Sequence, residues 1–236
     1  MIVEVDSAQL EWRVAAWLSQ DKTAIQEIKD GVDLHEANRA RFGLPERVIA
    51  KIFLFRLIYG GSAYSYAHDP DFTGVSTKEK FWQGVIDKTY EKYPQLAAWH
   101  QSIIAEVRRT GKLVAPSGRV LQFKPKPNGD WPDTIIKNYP VQGFSADLMM
   151  LARIAVFRRL ISYREKGVLL INTVHDSILV DCKDEMVEFV CRTLQDVFQG
   201  LDKIASRCFG INFDVPMDCD IKLGKSWGTM EKWNAV

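Results

Sequence analysis

The chain has 236 residues, 47% of them hydrophobic, with seven Trp and a formal net charge of +1. That supplies apolar material for one large domain or two small ones, and a charge balance that neither demands nor excludes nucleic acid, where local distribution decides. Cys182, Cys191, Cys208 and Cys219 form no CxxC pair, so no zinc site or disulfide framework is expected and a reducing compartment is. The start, MIVEVDSAQLEW, has no basic residues and no long apolar run, and no stretch of about 18 apolar residues follows, so neither signal peptide nor membrane span is expected.

In chain order, Ile2 to Val5 predict a strand interrupted by Glu4, and Leu10 to Leu18 a helix, with Asp6 at the junction. Asp33 is placed to cap a helix running through Phe42, which Gly43 ends. Pro45 opens the next helix, which stops at Gly60-Gly61. Polar helices are expected over 76–92 and 95–111, then a hairpin or loop in the turn-rich PSGRVLQFKPKPNGDWPD. Ser145 to Arg164 predict a long apolar helix. In GVLLINTVHDSILVDC two strand-like runs flank His175-Asp176-Ser177, as in a buried hairpin with its polar residues at the turn. A helix follows over 184–205, and the tail FDVPMDCDIKLGKSW is strand-like up to Leu223. Strands at both ends around a helical insert predict an α+β fold, not alternating βαβ units.

Arg47, Lys51, Phe55 and Tyr59 occupy every fourth position of RVIAKIFLFRLIYGG. At about 100° per residue they line one slowly drifting stripe of two cations, then two aromatics, then a Gly pair. Arg grips phosphate oxygens two at a time, Lys acts as a compact charge and proton donor, and an aromatic holds a sugar or base. A solvated basic face and a pair of core aromatics are the ordinary readings of the same residues. Asp6 and Asp176 each end a short apolar strand. If those strands are neighbours, two carboxylates converge at one sheet edge, a hard-oxygen pair suited to Mg²⁺. Two such ions, about 3.5–4 Å apart, stabilise the attacking and leaving oxygens of an in-line phosphoryl transfer. Taken singly, each Asp is more often an ordinary turn residue; together with the cationic stripe, they point to a polyphosphate. Arg108, Arg109, Lys112, Arg119, Lys124 and Lys126 form a basic stretch near the hairpin, read first as a solvated face and second as a contact for a nucleic-acid backbone.

Three motifs, in order, resemble those of the family A DNA polymerases, the DNA polymerase I family. Val5-Asp6-Ser7-Ala8-Gln9-Leu10-Glu11-Trp12-Arg13 resembles the first, D-Y-S-Q-I-E-L-R. The helix with Arg47, Lys51, Phe55, Tyr59 and Gly60 matches R-x3-K-x3-F-x3-Y-G in every spacing. Val174-His175-Asp176-Ser177 resembles V-H-D-E. Weaker likenesses are Asp33-Leu34-His35, Tyr93-Pro94 and Asn138-Tyr139-Pro140-Val141-Gln142-Gly143.

By that resemblance, Asp6 and Asp176 hold two Mg²⁺ ions, with the Ser7 carbonyl a further ligand. Arg47, Lys51 and His35 contact the triphosphate of an incoming deoxynucleotide, Gln9 lies in the same site, and Lys51 also protonates departing pyrophosphate. Phe55 lies against the sugar, Tyr59 guards the templating-base position, and Glu11 fills the space a ribose 2′-OH needs. Gln142, Asn138 and His175 aim donors at the minor-groove acceptors shared by all base pairs, and Gly60 also lies against DNA. The implied architecture is an antiparallel palm sheet with packed helices and an inserted helical fingers subdomain: palm over 1–30, fingers over 31–140, palm again over 141–236. Ser177 departs from the usual third-motif carboxylate, Ser7 from a Tyr, and Thr134 from an Arg found in many relatives.

Full-length relatives place an exonuclease-like region, a thumb and part of the palm ahead of the first motif, whereas this chain starts five residues before Asp6. The expectation is a chain without thumb or exonuclease domain, one half of a split polymerase whose partner polypeptide carries them; a shortened chain would read the same way. The short interval from His35 to Arg47 resembles that of some phage members, which puts the chain in the cytoplasm of a bacterium or a phage-infected host. The expected partners are primer–template DNA, a deoxynucleoside triphosphate and that second polypeptide, with no membrane. Two other readings stand beside this one: a single-subunit RNA polymerase, and a non-catalytic DNA-binding or assembly subunit derived from a polymerase.

Overall fold

The computed structural model describes residues 1–234. Its elements begin with strand β1 (Ile2–Ser7), then helices α1 (Leu10–Ser19), α2 (Lys22–Lys29), α3 (Leu34–Phe42), α4 (Arg47–Ile58), α5 (Ala63–Ala67), α6 (Glu79–Lys92) and α7 (Pro94–Thr110). A small hairpin, β2 (Lys112–Val114) and β3 (Val120–Gln122), leads to the long helix α8 (Asp133–Leu160). Then come β4 (Val168–Val174), β5 (Ser177–Cys182), α9 (Val187–Gln199), α10 (Leu201–Phe209), β6 (Cys219–Gly224) and β7 (Glu231–Lys232). Contacts gather Met1–Leu10 with Phe144–Val236 into one unit and Glu11–Gly143 into another. Residues 11–30 therefore associate with the helical unit, where the sequence reading drew its first boundary after residue 30.

The first unit is built on an antiparallel sheet in the order β4-β5-β1-β6-β7. Alternation along β1 buries Val3, Val5 and Ser7 and turns Ile2, Glu4 and Asp6 to the other face. This fixes the register, because a slip of one residue would bury the acids. Helix α9 packs on β1, β5 and β6 with Val190, Leu194, Val197 and Phe198 buried at helical spacing. The antiparallel sheet with packed helices is the expected α+β fold.

In the second unit one buried carboxylate organises two helix starts. Asp21 accepts from the Ala24 N–H at 3.0 Å, capping α2, and from the N–H groups of Gln95 and Leu96 at 3.0 and 3.2 Å, capping α7. The first amides of a helix have no partner within it, and this one side chain serves three of them at two helix starts. Under α4, Phe53 sits 4.9 Å from the Tyr66 ring and stacks at 6.0 Å on Trp82, with Phe42, Phe72 and Leu57 in the same core. That anchored face decides which side of α4 meets solvent.

Four local expectations differ from what is observed. Helix α8 starts at Asp133 rather than Ser145 and carries Pro140 inside it. Proline removes one ladder bond and crowds the carbonyl four residues back, yet the helix continues past it. The helix expected over 184–205 is two, α9 and α10, parted at Gly200, and a 3₁₀ turn over Asp184–Met186 precedes them. Strand structure in the tail begins only at Cys219; Phe213, Val215 and Met217 are buried without joining a ladder. The hairpin expected to be buried is so only on one side: β5 is interior, but β4 is a sheet edge with Leu169 and Ile171 exposed.

Candidate active site

Two groups of polar residues stand out, one in each unit. In the sheet unit, Val174 pairs with Ser177, leaving His175 and Asp176 as the two-residue turn between β4 and β5. His175 is exposed and has φ 51°, a left-handed conformation that a His adopts only where the turn requires it. The Ser177 hydroxyl donates to the Val174 carbonyl at 3.1 Å and closes the turn from inside. The sequence departure from a carboxylate at this position thus has a structural use. The Ser7 N–H donates to the Asp176 carbonyl at 3.0 Å, tying the end of β1 to the turn. Ser7 itself is buried, and its hydroxyl has no hydrogen-bond partner.

Asp6 lies opposite Ser177 on β5 and opposite Asp220 on β6. Burial, then the charge of Asp176, then that of Glu4 raise its pKa from 3.8 to about 6, with Lys222 opposing. Neither Asp6 nor Asp176 forms an ion pair with a side chain among the described residues. No cluster of three or more His, Cys, Asp or Glu that could hold a metal occurs among them. Two like-charged carboxylates without a direct ion pair fit Mg²⁺, which takes one or two carboxylates and completes its shell with water and phosphate oxygens. Gln9, half-buried at the junction of β1 and α1, has φ 54°.

In the helical unit, α4 buries Ala50, Phe53, Leu54, Leu57 and Ile58. Arg47 and Lys51 are exposed and Phe55 half-buried, so the stripe faces outward. Asp33 caps α3 through the N–H groups of His35 and Glu36, and also accepts from Arg47 Nε at 2.8 Å. The guanidinium is therefore held in place while half of it stays exposed. The Lys51 ammonium lies 6.0 Å from the Phe55 ring centre, and the His35 ring 6.1 Å from it. His35 is buried, its Nδ1 lacks a partner, and burial together with the Arg47 and Lys51 charges lowers its pKa to about 4. The ring is neutral at pH 7 and offers a hydrogen bond, not a charge.

Tyr59 follows α4 as its C-cap, and its hydroxyl donates to the Glu11 carboxylate. Sequence reasoning singled out both residues but not their pairing across 48 positions, for which no local signal exists. Gly60 has φ 83°, and a Cβ there would meet the Thr134 Cα at 3.0 Å, so only glycine fits this approach to the first turn of α8. Asn138 and Gln142, implied by the resemblance as donors, are both in α8, about 6 Å apart along its axis. Gln142 is exposed, while Asn138 is half-buried with its Oδ1 lacking a partner. Asp21 and Asp220 are polar residues the sequence reading passed over; Asp21 carries a local N-cap signal ahead of α2, but nothing local marks its second role at α7 or the place of Asp220 beside Asp6.

The profile of DNA polymerase family A matches residues 1–229. DNA polymerase I of Thermus aquaticus is 29% identical over 240 residues, which cover 96% of this chain and 27% of that protein. The Pseudomonas aeruginosa enzyme is 29% identical over 241 residues, 96% of this chain and 24% of its own length. The chain thus spans about a quarter of the curated relatives it matches. A solved structure described as the POL domain of Pol1 from M. smegmatis in complex with DNA primer-template and dNTP shares the fold. It matches with a TM-score of 0.79 at 20% identity, over 96% of this chain and 40% of that one. Among the described residues no helix is long and apolar enough to cross a membrane.

Proposed function

The chain belongs to DNA polymerase family A, and from that premise we propose that it carries the nucleotidyl-transfer site of a DNA-directed DNA polymerase. Its substrates in this reading are a primer 3′-OH on a template and a deoxynucleoside triphosphate. The observation that carries the proposal is the pair of carboxylates without a direct ion pair among the described residues, Asp6 on β1 and Asp176 in the adjoining turn; burial and then the Asp176 charge raise the Asp6 pKa. These two residues, with the Ser7 carbonyl, hold divalent cations. When bound there, Mg²⁺ ions supply charge stabilisation for the attacking and leaving oxygens of an in-line displacement.

The remaining work is done by the chain's own groups. Arg47, kept in position by Asp33, grips triphosphate oxygens with its fork of N–H donors. Lys51 adds a compact charge and gives its proton to the departing pyrophosphate. His35 donates as a neutral ring, and Phe55 packs on the sugar. Glu11, accepting from Tyr59, blocks the space of a 2′-OH and selects deoxynucleotides. Gln9 supports the same site from the β1–α1 junction. His175, Asn138 and Gln142 touch the minor groove of the nascent pair, and Gly60 lets backbone approach the template. In this reading residues 31–140 act as the fingers, with 1–30 and 141–236 as the palm. The regions that grip the duplex come from the part of the polymerase outside the matched span, on the same polypeptide or on a second one. The four cysteines are free, which suits a reducing cytoplasm, bacterial or phage-infected.

Primer extension with Mg²⁺ tests this, run on the chain alone and with the remaining polymerase regions added. Extension that Asp6→Ala and Asp176→Ala each cut by about 10³-fold supports it. A parallel thermal shift by Mg²⁺, lost in both variants, reads the metal site without turnover. Extension untouched by both variants would mean that the carboxylates serve only the turn.

A further inference from the structure

The start of α8 carries a cation that the fold leaves without an anion. Lys137 is half-buried, and its chain runs past the end of α4, with Cδ 3.2 Å from where a Cβ on Gly60 would stand. It forms no ion pair or hydrogen bond with a side chain among the described residues. The ordinary partner would be Asp133, one turn back at the favourable i−4 position. Arg108 takes that carboxylate instead, donating from Nη2 to its two oxygens at 3.2 and 3.0 Å. His100 also feels the cation. It is buried with its Nε2 unpartnered, and burial, then the Lys137 charge, lowers its pKa to about 3, so it supplies no counter-charge. Burial also holds the Lys137 pKa below the ordinary lysine value, with Asp133 opposing. Helix capping does not account for this ammonium. The last carbonyls of α4, those of Phe55, Arg56 and Leu57, already accept from the N–H groups of Tyr59, Gly61 and Gly60 at 3.4, 2.8 and 2.9 Å. Arg56, the basic residue of that last turn, is itself held by Asp69 and Asp71. A charge that gives up part of its hydration and gains no partner costs stability, which an arriving anion would repay.

We propose that Lys137 binds a backbone phosphate of the template strand, within one nucleotide of the base that pairs with the incoming deoxynucleotide. The inference deepens the polymerase reading and rests on it. Three considerations select this anion. In that reading the triphosphate lies across Arg47 and Lys51, about 6 Å apart, whereas the end of α4 is about 12 Å past Lys51 along the axis, so a different anion is needed there. Lys137 stands between two groups given to the template side: it precedes Asn138 on α8 and packs on Gly60, which follows Tyr59. The end of α4 also carries partial negative charge from its carbonyls, so a phosphodiester approaching Gly60 needs a cation beside it. Lysine suits the task as a compact charge on a flexible stem. A phosphate contact fixes the strand in place without reading its sequence, as the copying of any template requires.

Neutralising single phosphates tests it. Primer–template duplexes with one methylphosphonate, an uncharged stand-in for a phosphate, are scanned position by position along both strands. Binding to the chain together with the remaining polymerase regions is measured without divalent metal. The parent protein should lose about tenfold in affinity at one template phosphate within a nucleotide of the templating base. Lys137→Gln should show that loss on the unmodified duplex and no further loss at that position, and the slope of log affinity against log salt should fall by about 0.7. Lys137→Arg should restore the parent's pattern. Removing a half-buried unpaired charge should leave the melting temperature of Lys137→Gln unchanged or higher, so that weaker binding reads the contact and not the fold. A scan of Lys137→Gln identical to the parent's overturns the proposal. So does a sensitive position that maps to the primer strand, or a tenfold rise in the deoxynucleotide KM with the scan unaltered. Failure of the polymerase reading itself looks different: the parent then neither binds primer–template nor extends it, and both proposals fall together.

Discussion

The sheet unit and the helical unit treat charge in opposite ways. At the β4–β5 turn, Asp6 and Asp176 are brought together without a direct ion pair among the described residues, and burial and the Asp176 charge raise the pKa of Asp6 to about 6 against the pull of Lys222. Around α4, Arg47 and Lys51 sit near a buried His35, whose pKa falls to about 4. Each group resists acquiring more of the charge it already has, and in the proposed function the first receives metal ions and the second phosphate. Stability alone would favour neither arrangement. Under the proposed function the two can be disturbed separately.

The largest separable effect is expected at the cations. Arg47→Ala and Lys51→Ala should each lower primer extension by about 10²-fold, a loss of charge-assisted contacts, while the Mg²⁺ thermal shift stays unchanged. Both side chains are exposed, so the fold should tolerate the change; loss of the Mg²⁺ shift in either variant would break the proposed division of roles. Next in size is Asp21→Ala. Three amide hydrogen bonds to a buried carboxylate disappear from two helix starts, costing about 2–3 kcal/mol of stability. Denaturant unfolding should show that loss, and hydrogen exchange should locate it in α2 and α7 rather than in β1, β5 and β6.

The pH responses should run in opposite directions. Between pH 3.8 and about 6 the native Asp6 holds a proton that the unfolded chain releases, so its contribution is full below pH 4 and lost as pH rises through about 6. Asp6→Asn should therefore stabilise the metal-free chain at pH 8, by about 1 kcal/mol after allowance for solvent screening, and lose that advantage by pH 4. His35 and His100, lowered to about 4 and about 3 chiefly by burial, give stability that is full above pH 6.5 and lost as pH falls towards those values. Melts of His100→Gln should show a shallower loss between pH 6.5 and 4 than the parent chain; an equal loss would remove His100 from the account. The smallest effect belongs to His175. Glycine accepts φ 51° without strain, so His175→Gly should gain up to about 1 kcal/mol in thermal unfolding. Lower primer extension in the same variant would show that the strained His is kept for contact with DNA.

The sequence by itself determined the parts whose causes lie within a few residues. Asp33 and Gly43 bound α3 because a carboxylate caps amides two and three positions on and glycine accepts the left-handed turn at a helix end. The four-residue spacing of Arg47, Lys51, Phe55 and Tyr59 laid out the α4 ridge, and apolar runs around His175-Asp176 marked the hairpin. Only the tertiary structure decided that β1, from the chain's start, lies between β5 and β6 from its end, since register and strand order are set by pairing across some 170 to 220 positions. The same holds for the meeting of Asp6 with the Asp176 turn, the Glu11–Tyr59 bond and the double cap by Asp21. Pro140 inside α8 shows the reverse case: the local signal said stop, and burial of Ile136, Val141 and Phe144 on either side outweighed it. Local rules set which groups were available to meet, and burial of distant apolar faces against each other set which of them did.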